Sequence, residues 1–383
     1  MDHGHLNFDS RLELTPELAC LLRECAVLIR VLKEAPLTPE ARQHLMRFSF
    51  KRGALSTTAI EGNSVTEEEY EDIVHKTKPL PPSRRYQQVE VENMVTAFNH
   101  LISNVIVNHR RELITPDLIR AFHKLVIKDL GEAAPAVPGR FRGSNVVVGR
   151  YRPPDYARVP KLIEQYCEWL RGFGFLGNQN LEMVLVEAVA AHVYLEWIHP
   201  FGDGNGRTGR LVEYYILIRG GLPLIAGHIL SNFYNNTRDK YYRMFEECQA
   251  KKDLVPFLLY AVEGFRDGLN ETYASVQDSQ VLVFWQRIIY DAFDRLPHTK
   301  KEAHKRKRKV LLNFPLKEGV ALPDIPLKTG TLEYGGLSFN ALYKDIRWME
   351  KAGLLVKRTD QKFHANWQQT CQEYFDPAWR PET

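Results

Sequence analysis

Apolar positions recur at helical spacing along most of the chain, which predicts a mainly α protein. The clearest run is Leu181 to Ile198 (LEMVLVEAVAAHVYLEWI), and Pro200 biases His199 out of the helical region and ends it. The pattern resumes from Arg207 to Arg219, with Leu211, Tyr214, Tyr215, Leu217 and Ile218 as its apolar positions. Three helix starts organise the front of the chain: Thr15-Pro16-Glu17, Thr38-Pro39-Glu40 and Thr115-Pro116-Asp117. Each offers a capping hydroxyl, a proline at the first helical position and an acid in the first turn. The second helix is expected to run from Thr38 toward Ile60. Pro79, Pro81 and Pro82 then interrupt the pattern before helices that begin near Tyr86 and continue to about Asn270.

Two stretches depart from helical spacing. Gly139 to Pro154 (GRFRGSNVVVGRYRPP) carries the β-branched run Val146 to Val148 between glycines and prolines, and reads as a short hairpin. In the last hundred residues an amphipathic helix, Val281 to Leu296, precedes seven Lys or Arg between Lys300 and Lys309. A capped helix from Ser338 to Ala352 follows, then a hairpin formed by Gly353 to Arg358 and Gln361 to Ala365. The expected division is 1–82, a helical N-terminal region; 83–275, a helical core with a hairpin flap at 139–154; 276–297, a connecting helix; and 298–383, a small α+β domain like a winged helix.

Length and composition fit that division. At 383 residues and 44% hydrophobic content, two or three packed units are expected. The start, MDHGHLNFDSRLEL, lacks the basic lead and apolar core of a signal peptide, and no apolar run approaches about 18 residues. A soluble, cytoplasmic protein with no membrane partner is therefore expected. The five cysteines include no C-x-x-C pair and suggest neither a disulfide framework nor a zinc site. His3 and His5 lie close together, but nothing around them completes a metal site, and that terminus is expected to be mobile.

The chemistry concentrates in His199 to Arg210, HPFGDGNGRTGR, at the junction between two helices. The first amides of a helix have no intrahelical partners and carry the positive end of its dipole. Gly204, Asn205 and Gly206 tolerate the left-handed conformations that let successive amides converge, so a phosphate fits there. Arg207 and Arg210 share one helix face and present paired donors suited to phosphate oxygens. Asp203 would repel phosphate unless it holds Mg²⁺, which takes one or two carboxylates alongside phosphate oxygens. His199 has the ordinary basicity of a general base near neutral pH. Gly204, Gly206 and Gly209 also satisfy G-x-G-x-x-G, but a helix rather than a strand precedes them, which rejects a dinucleotide fold. A Walker-type phosphate loop is absent from the sequence.

This run matches every defined position of the H-x-F-x-[DE]-G-N-G-R-x-x-R motif and so resembles the Fic family, most of whose members transfer AMP from Mg·ATP to a hydroxyl of a target protein. The resemblance implies that His199 deprotonates a target Ser, Thr or Tyr and that Asp203 holds Mg²⁺. It further implies an ATP site comprising Val146, Val147, Val148, Gly149, Asp203, Gly204, Asn205, Gly206, Arg207, Thr208, Gly209, Arg210 and Tyr241. Arg210 would meet the γ-phosphate, and Phe201 looks like a core anchor for the loop. Thr57 to Gly62, TTAIEG, resembles the family's [ST]-x-x-x-E-[GN] inhibitory helix, in which Glu61 would pair with Arg210 and displace the γ-phosphate. Gly62 capping an ordinary helix end is the plainer reading of that hexapeptide.

The hairpin at 139–154 resembles the flap that holds an extended target segment by strand addition. Tyr241, on the helix Arg238 to Phe245, sits where the family presents a tyrosine to the nucleotide, while Gln249 stands where asparagine is usual. The expected activity is that of an autoinhibited protein adenylyltransferase, with the protein itself among its targets. The same fold acting to remove AMP, or using another nucleotide donor, is the alternative. A DNA-binding regulator that senses ATP is a second one, since basic residues beside the C-terminal helix suit DNA phosphates. Against it, the net charge is only +4 and a Lys/Arg run is commonly a solvated face. A homodimer regulating the lock is the remaining partner expectation.

Overall fold

The three predicted threonine caps form as expected. Thr15, Thr38 and Thr115 accept from the amides of Leu18, Ala41 and Leu118 at 3.2, 3.2 and 3.1 Å, and so start α1 (Pro16–Glu34), α2 (Pro39–Ala59) and a later helix. A capping box that the sequence reading did not single out, Thr66 with Glu69, starts α3 (Glu67–His75). α4 (Arg85–Ile102) follows the proline-rich break, and Thr115 opens α5 (Pro116–Val126). Then come α6 (Val159–Arg171), α7 (Leu181–Ile198), α8 (Asn205–Arg219), α9 (Ile229–Asn236), α10 (Arg238–Lys251) and α11 (Val255–Asp294). The computed structural model describes residues 3–8, 14–172, 180–294, 296, 301–331, 334 and 339–374.

The chain divides into two compact units, 1–274 and 275–383. In the first, α7 and α8 form a central antiparallel pair, buried along nearly their whole length, and other helices pack around them. α1 and α6 lie against α7, α5 and α4 against α8, while α2 packs on α4 and α9. Burial on all sides explains why α7 carries an almost unbroken apolar sequence rather than one apolar stripe. The loop joining α7 to α8 is thereby held between two immobile elements.

The second unit contains α12 (Lys301–Leu312), α13 (Ile325–Lys328), α14 (Phe339–Lys351), an antiparallel hairpin of β1 (Leu355–Lys357) and β2 (Phe363–Ala365), and α15 (Trp367–Tyr374). Its core gathers Trp285, Ile289, Val310, Phe314, Ile346, Met349 and Leu355. The C-terminal hairpin falls where the alternating pattern placed it, and Ser338, the expected first residue of its preceding helix, lies outside the described residues. The basic run is less exposed than its composition suggested. Arg306 pairs with Asp345 at 2.6 Å, and buried Lys307 approaches the same carboxylate and the Trp348 ring.

Two expectations need revision. The hairpin at 139–154 reduces to a single antiparallel bridge, Val148 with Tyr151, closed by a turn in which Gly149 adopts a positive φ. Val146 and Val147 pair with nothing in that ladder. The helix expected from Val281 starts earlier, as part of the 40-residue helix α11, while the division between the two units at 274/275 falls beside the expected boundary at 275/276. Among the described residues no helix is long and apolar enough to cross a membrane.

Phe201 anchors the α7–α8 loop. It is fully buried and stacks on His123 with ring centroids 3.7 Å apart. Phe201→Ala should lower stability by about 3–5 kcal/mol in a denaturant titration; a loss below about 1 kcal/mol would mean that the loop is held without it.

Candidate active site

His199 caps α7 in the left-handed conformation, φ 48° and ψ 61°. Pro200 excludes the helical alternative, and the outcome is a sharp turn that brings the imidazole to the mouth of a cavity of about 930 Å³. Its Nδ1 faces the backbone carbonyl of Glu196 at 3.3 Å, which makes Nδ1 the protonated nitrogen and leaves Nε2 as the acceptor. Burial, with a smaller contribution from the Arg142 charge, pulls the His199 pKa down to about 4, so the ring is neutral at pH 7.

The loop beyond is braced internally. Asn205 accepts from the Phe201 amide at 2.9 Å and donates to the Phe201 carbonyl at 3.0 Å, closing a ring over the five residues 201–205. Gly204 enters α8 at φ 75°, and the buried Thr208 hydroxyl donates to its carbonyl at 2.7 Å. Asp203, a third exposed, lines the cavity with Gly204, Asn205 and Gly206. Thr208 and Gly209 lie beneath the loop instead, and Arg207 turns away to Glu90 at 2.6 Å while staying 3.5 Å from Asp203.

Arg210 is almost wholly buried, its side chain 1% exposed, and its donors meet four acceptors. Nε donates to the Thr57 hydroxyl at 2.8 Å, and Nη2 donates to the Thr57 carbonyl at 2.9 Å and to Glu61 Oε1 at 2.6 Å. The Tyr241 hydroxyl accepts from Nη1 at the longer distance of 3.5 Å. Burial pushes the Glu61 carboxyl toward its neutral form, but the charge and hydrogen bond of Arg210, aided by Arg207, prevail and hold its pKa below the usual value. Glu61 stands on the tight turn ending α2, where Gly62 has φ 94° and Tyr242 donates to the Ile60 carbonyl at 3.2 Å. The capping and the ion-pairing readings of the hexapeptide are thus both realised.

Gly206 also has a steric reason to be glycine. A Cβ there would lie 2.1 Å from Glu61 Oε1, so the carboxylate rests directly on the helix start where a phosphate is expected. On the other wall, Tyr241, Phe245 and Gln249 line the cavity, as do Val148 and Gly149 of the flap; Val146 and Val147 do not. Tyr241 is buried and hydrogen-bonds His192 at 2.8 Å, so core packing and cavity lining coexist in one residue.

The sequence reading missed several residues that hold this site. His123 accepts from the Gly139 amide and donates to the Asp203 carbonyl, both at 3.0 Å, tying the root of the flap to the loop. Arg142 donates to the His199 carbonyl at 2.8 Å, to the Ser144 carbonyl at 3.0 Å and to the Pro154 carbonyl. His3 and His5, expected on a mobile terminus, line the cavity instead: His3 hydrogen-bonds the Arg152 carbonyl and His5 the Tyr151 hydroxyl, each at 3.0 Å. Among the described residues no cluster of three His, Cys, Asp or Glu side chains could hold a metal by itself. Local pattern offered no signal for these long-range ties.

Residues 113–217, which include the α7–α8 loop, match the family model described as Fic/DOC. The chain carries a Fic domain. It is 29% identical over 223 residues to the protein adenylyltransferase fic-1 of Caenorhabditis elegans, covering 58% of this chain and 41% of that protein. It is 30% identical over 204 residues to the protein adenylyltransferase Fic of Nematostella vectensis, covering 53% and 44% respectively. The chain therefore spans less than half the length of these curated relatives. Among solved structures, a Fic family protein from Desulfovibrio desulfuricans G20 superposes with TM-score 0.57 at 21% identity, covering 93% of this chain and 98% of the other. A segment of C. elegans Fic-1 gives TM-score 0.58 at 24% identity, covering 68% and 73%. Both share the Fic fold with this chain.

The Glu61–Arg210 pair has a pH signature. Since Arg210 lowers the carboxyl pKa, the stabilisation is complete above the ordinary value of 4.5 and disappears as pH falls through the lowered one. Melting temperatures of the wild type and Glu61→Gln should differ at pH 7 and converge in acid. A gap independent of pH would argue against the ion pair.

Proposed function

We propose that this protein is an autoinhibited adenylyltransferase that moves AMP from Mg·ATP to a hydroxyl side chain of a target protein. The observation that carries the reading is Arg210, whose donors would face a polyphosphate but are given to Glu61 and Thr57. Anion-binding geometry at a helix start, a neutral imidazole with a free Nε2 and a cavity large enough for a nucleotide support it together.

In the productive arrangement the α- and β-phosphates lie at the amides of Gly204, Asn205 and Gly206, and Arg210 meets the γ-phosphate. His199 Nε2 takes the proton of the target hydroxyl as that oxygen bonds to the α-phosphorus, and the bond to pyrophosphate breaks. Asp203 is a single accessible carboxylate with room for phosphate oxygens and water beside it, a donor set that fits Mg²⁺. Bound there, the ion would neutralise phosphate charge. The Val148–Tyr151 turn would present the target segment, with Arg142 fixing the flap relative to His199.

With Glu61 in place, Arg210 cannot serve the γ-phosphate fully, and the α-phosphate is left out of line for attack. An error of about 1 Å in such an alignment costs roughly 100-fold in rate. In the second unit, α14 followed by the β1–β2 hairpin is the order of a winged helix, and we read it as a target-docking module. Duplex DNA is the less supported partner, because Arg306 and Lys307 are already committed to Asp345.

The test is label transfer from ATP carrying a radioactive α-phosphate. Glu61→Gly should raise protein-bound label by roughly 10- to 100-fold, and adding His199→Ala should abolish it while ATP still binds. No label from any variant, with or without host lysate, would overturn the reading.

A further inference from the structure

Glu196 stands on the last turn of α7, three residues before His199, and neither the motif nor the matched family description gives it a role. Its carboxylate Oε2 lies 3.9 Å from His199 Nδ1, and its side chain, 15% exposed, lines the same cavity. Its other oxygen, Oε1, is buried with no hydrogen-bond partner. One turn earlier, His192 Nδ1 is also buried and unpartnered. Both atoms converge on Gly209, where an added Cβ would sit 2.7 Å from Glu196 Oε1 and 2.9 Å from His192 Nδ1. A glycine on α8 is therefore what lets a carboxyl sit between the two central helices.

An unpartnered buried carboxyl weakens a fold, since its lost hydration is not replaced. Beside a base that becomes cationic during turnover, the same group acquires a partner at the moment the charge appears. We propose that Glu196 is the positioning residue for His199: its backbone carbonyl keeps the Nδ1 edge turned inward, and its carboxylate, once ionised, stabilises the doubly protonated ring formed when Nε2 takes the target's proton. This rests on the transferase reading above. No proton passes to Glu196; Nδ1 keeps its hydrogen, and the proton gained at Nε2 is returned to solvent after pyrophosphate leaves.

The groups facing Glu196 set when it is charged. Burial raises its pKa to about 8; Arg210 on α8 opposes that shift and Glu61 on the turn after α2 adds to it. The Tyr241 hydroxyl on α10 and His192 on its own helix complete the surroundings, and both are neutral at pH 7. Glu196 therefore ionises on the alkaline side of neutrality, and its negative charge makes His199 more basic as pH rises.

Histidine-labelled full-length protein tests this directly, with the His199 ring signal assigned by its loss in His199→Ala. In the wild type the His199 ring nitrogen shifts should move with a midpoint near pH 8, and in Glu196→Gln that transition should vanish. In the Glu61→Gly background, kcat should rise across the same interval, and Glu196→Gln should lower it by roughly 10-fold with KM for ATP unchanged. Glu196→Asp, which keeps the charge, should recover part of the loss. A wild-type ring with no transition in that range, a transition that persists in the Gln variant, or an unchanged kcat would each overturn the proposal. If Glu61→Gly transfers no AMP at any pH, the transferase reading falls and the ring titration alone decides the role of Glu196.

Discussion

A guanidinium sealed in a helical core must be surrounded by acceptors, and Arg210 is the group to which the rest of this Fic domain answers. Its side chain has almost no contact with solvent, so its charge cannot be left to water. Thr57 supplies two fixed acceptors from α2, but neither is an anion; among the described residues the carboxylate in direct contact with the guanidinium is Glu61. On the proposed reading, the place that Glu61 takes beside Arg210 is also the one a polyphosphate would take. Inhibition and nucleotide binding would then be two ways of meeting the same electrostatic requirement, and neither would need a change of fold.

Around that charge the domain is stapled by further hydrogen bonds, some of them crossing long stretches of sequence. His123 joins the flap root to Asp203, Arg142 joins the flap to His199, and Asn205 closes the loop upon Phe201. The His123 pKa is lowered to about 4, chiefly by burial, so its two hydrogen bonds have fixed directions at physiological pH. Such ties make the positions of His199, the Val148–Tyr151 turn and the Gly204–Gly206 amides interdependent, which is what the proposed transfer would require.

Much of this was legible in the chain before its structure. Local signals sufficed for the capped helices at Thr15, Thr38 and Thr115 and for the end of α7 before Pro200, though not for the left-handed conformation of His199; the contact between Glu61 and Arg210 was implied by the resemblance to the Fic family, not by the hexapeptide itself. The flap was read too generously: Val146 and Val147 have strand-forming side chains, but β-propensity depends on a partner edge, and the fold supplies only the Val148–Tyr151 bridge. The basic run was read as outward-facing because charge in a sequence carries no direction, whereas Asp345 on α14 draws Arg306 and Lys307 inward. His123, Arg142 and the docked His3 were invisible for a related reason. Their roles exist only in contacts across the tertiary fold, and nothing at i±4 announces them.

Glu61 occupies the exposed side of a turn and reaches Arg210 with its side chain alone, while the Thr57 contacts that hold α2 in place do not depend on it. Its departure would thus need rotation about side-chain bonds rather than the melting of a helix. Partly exposed side chains change rotamer on the order of nanoseconds. If Glu61 inhibits as proposed, the lock would carry no memory: the inhibited fraction would follow nucleotide concentration and the packing of α2 from moment to moment.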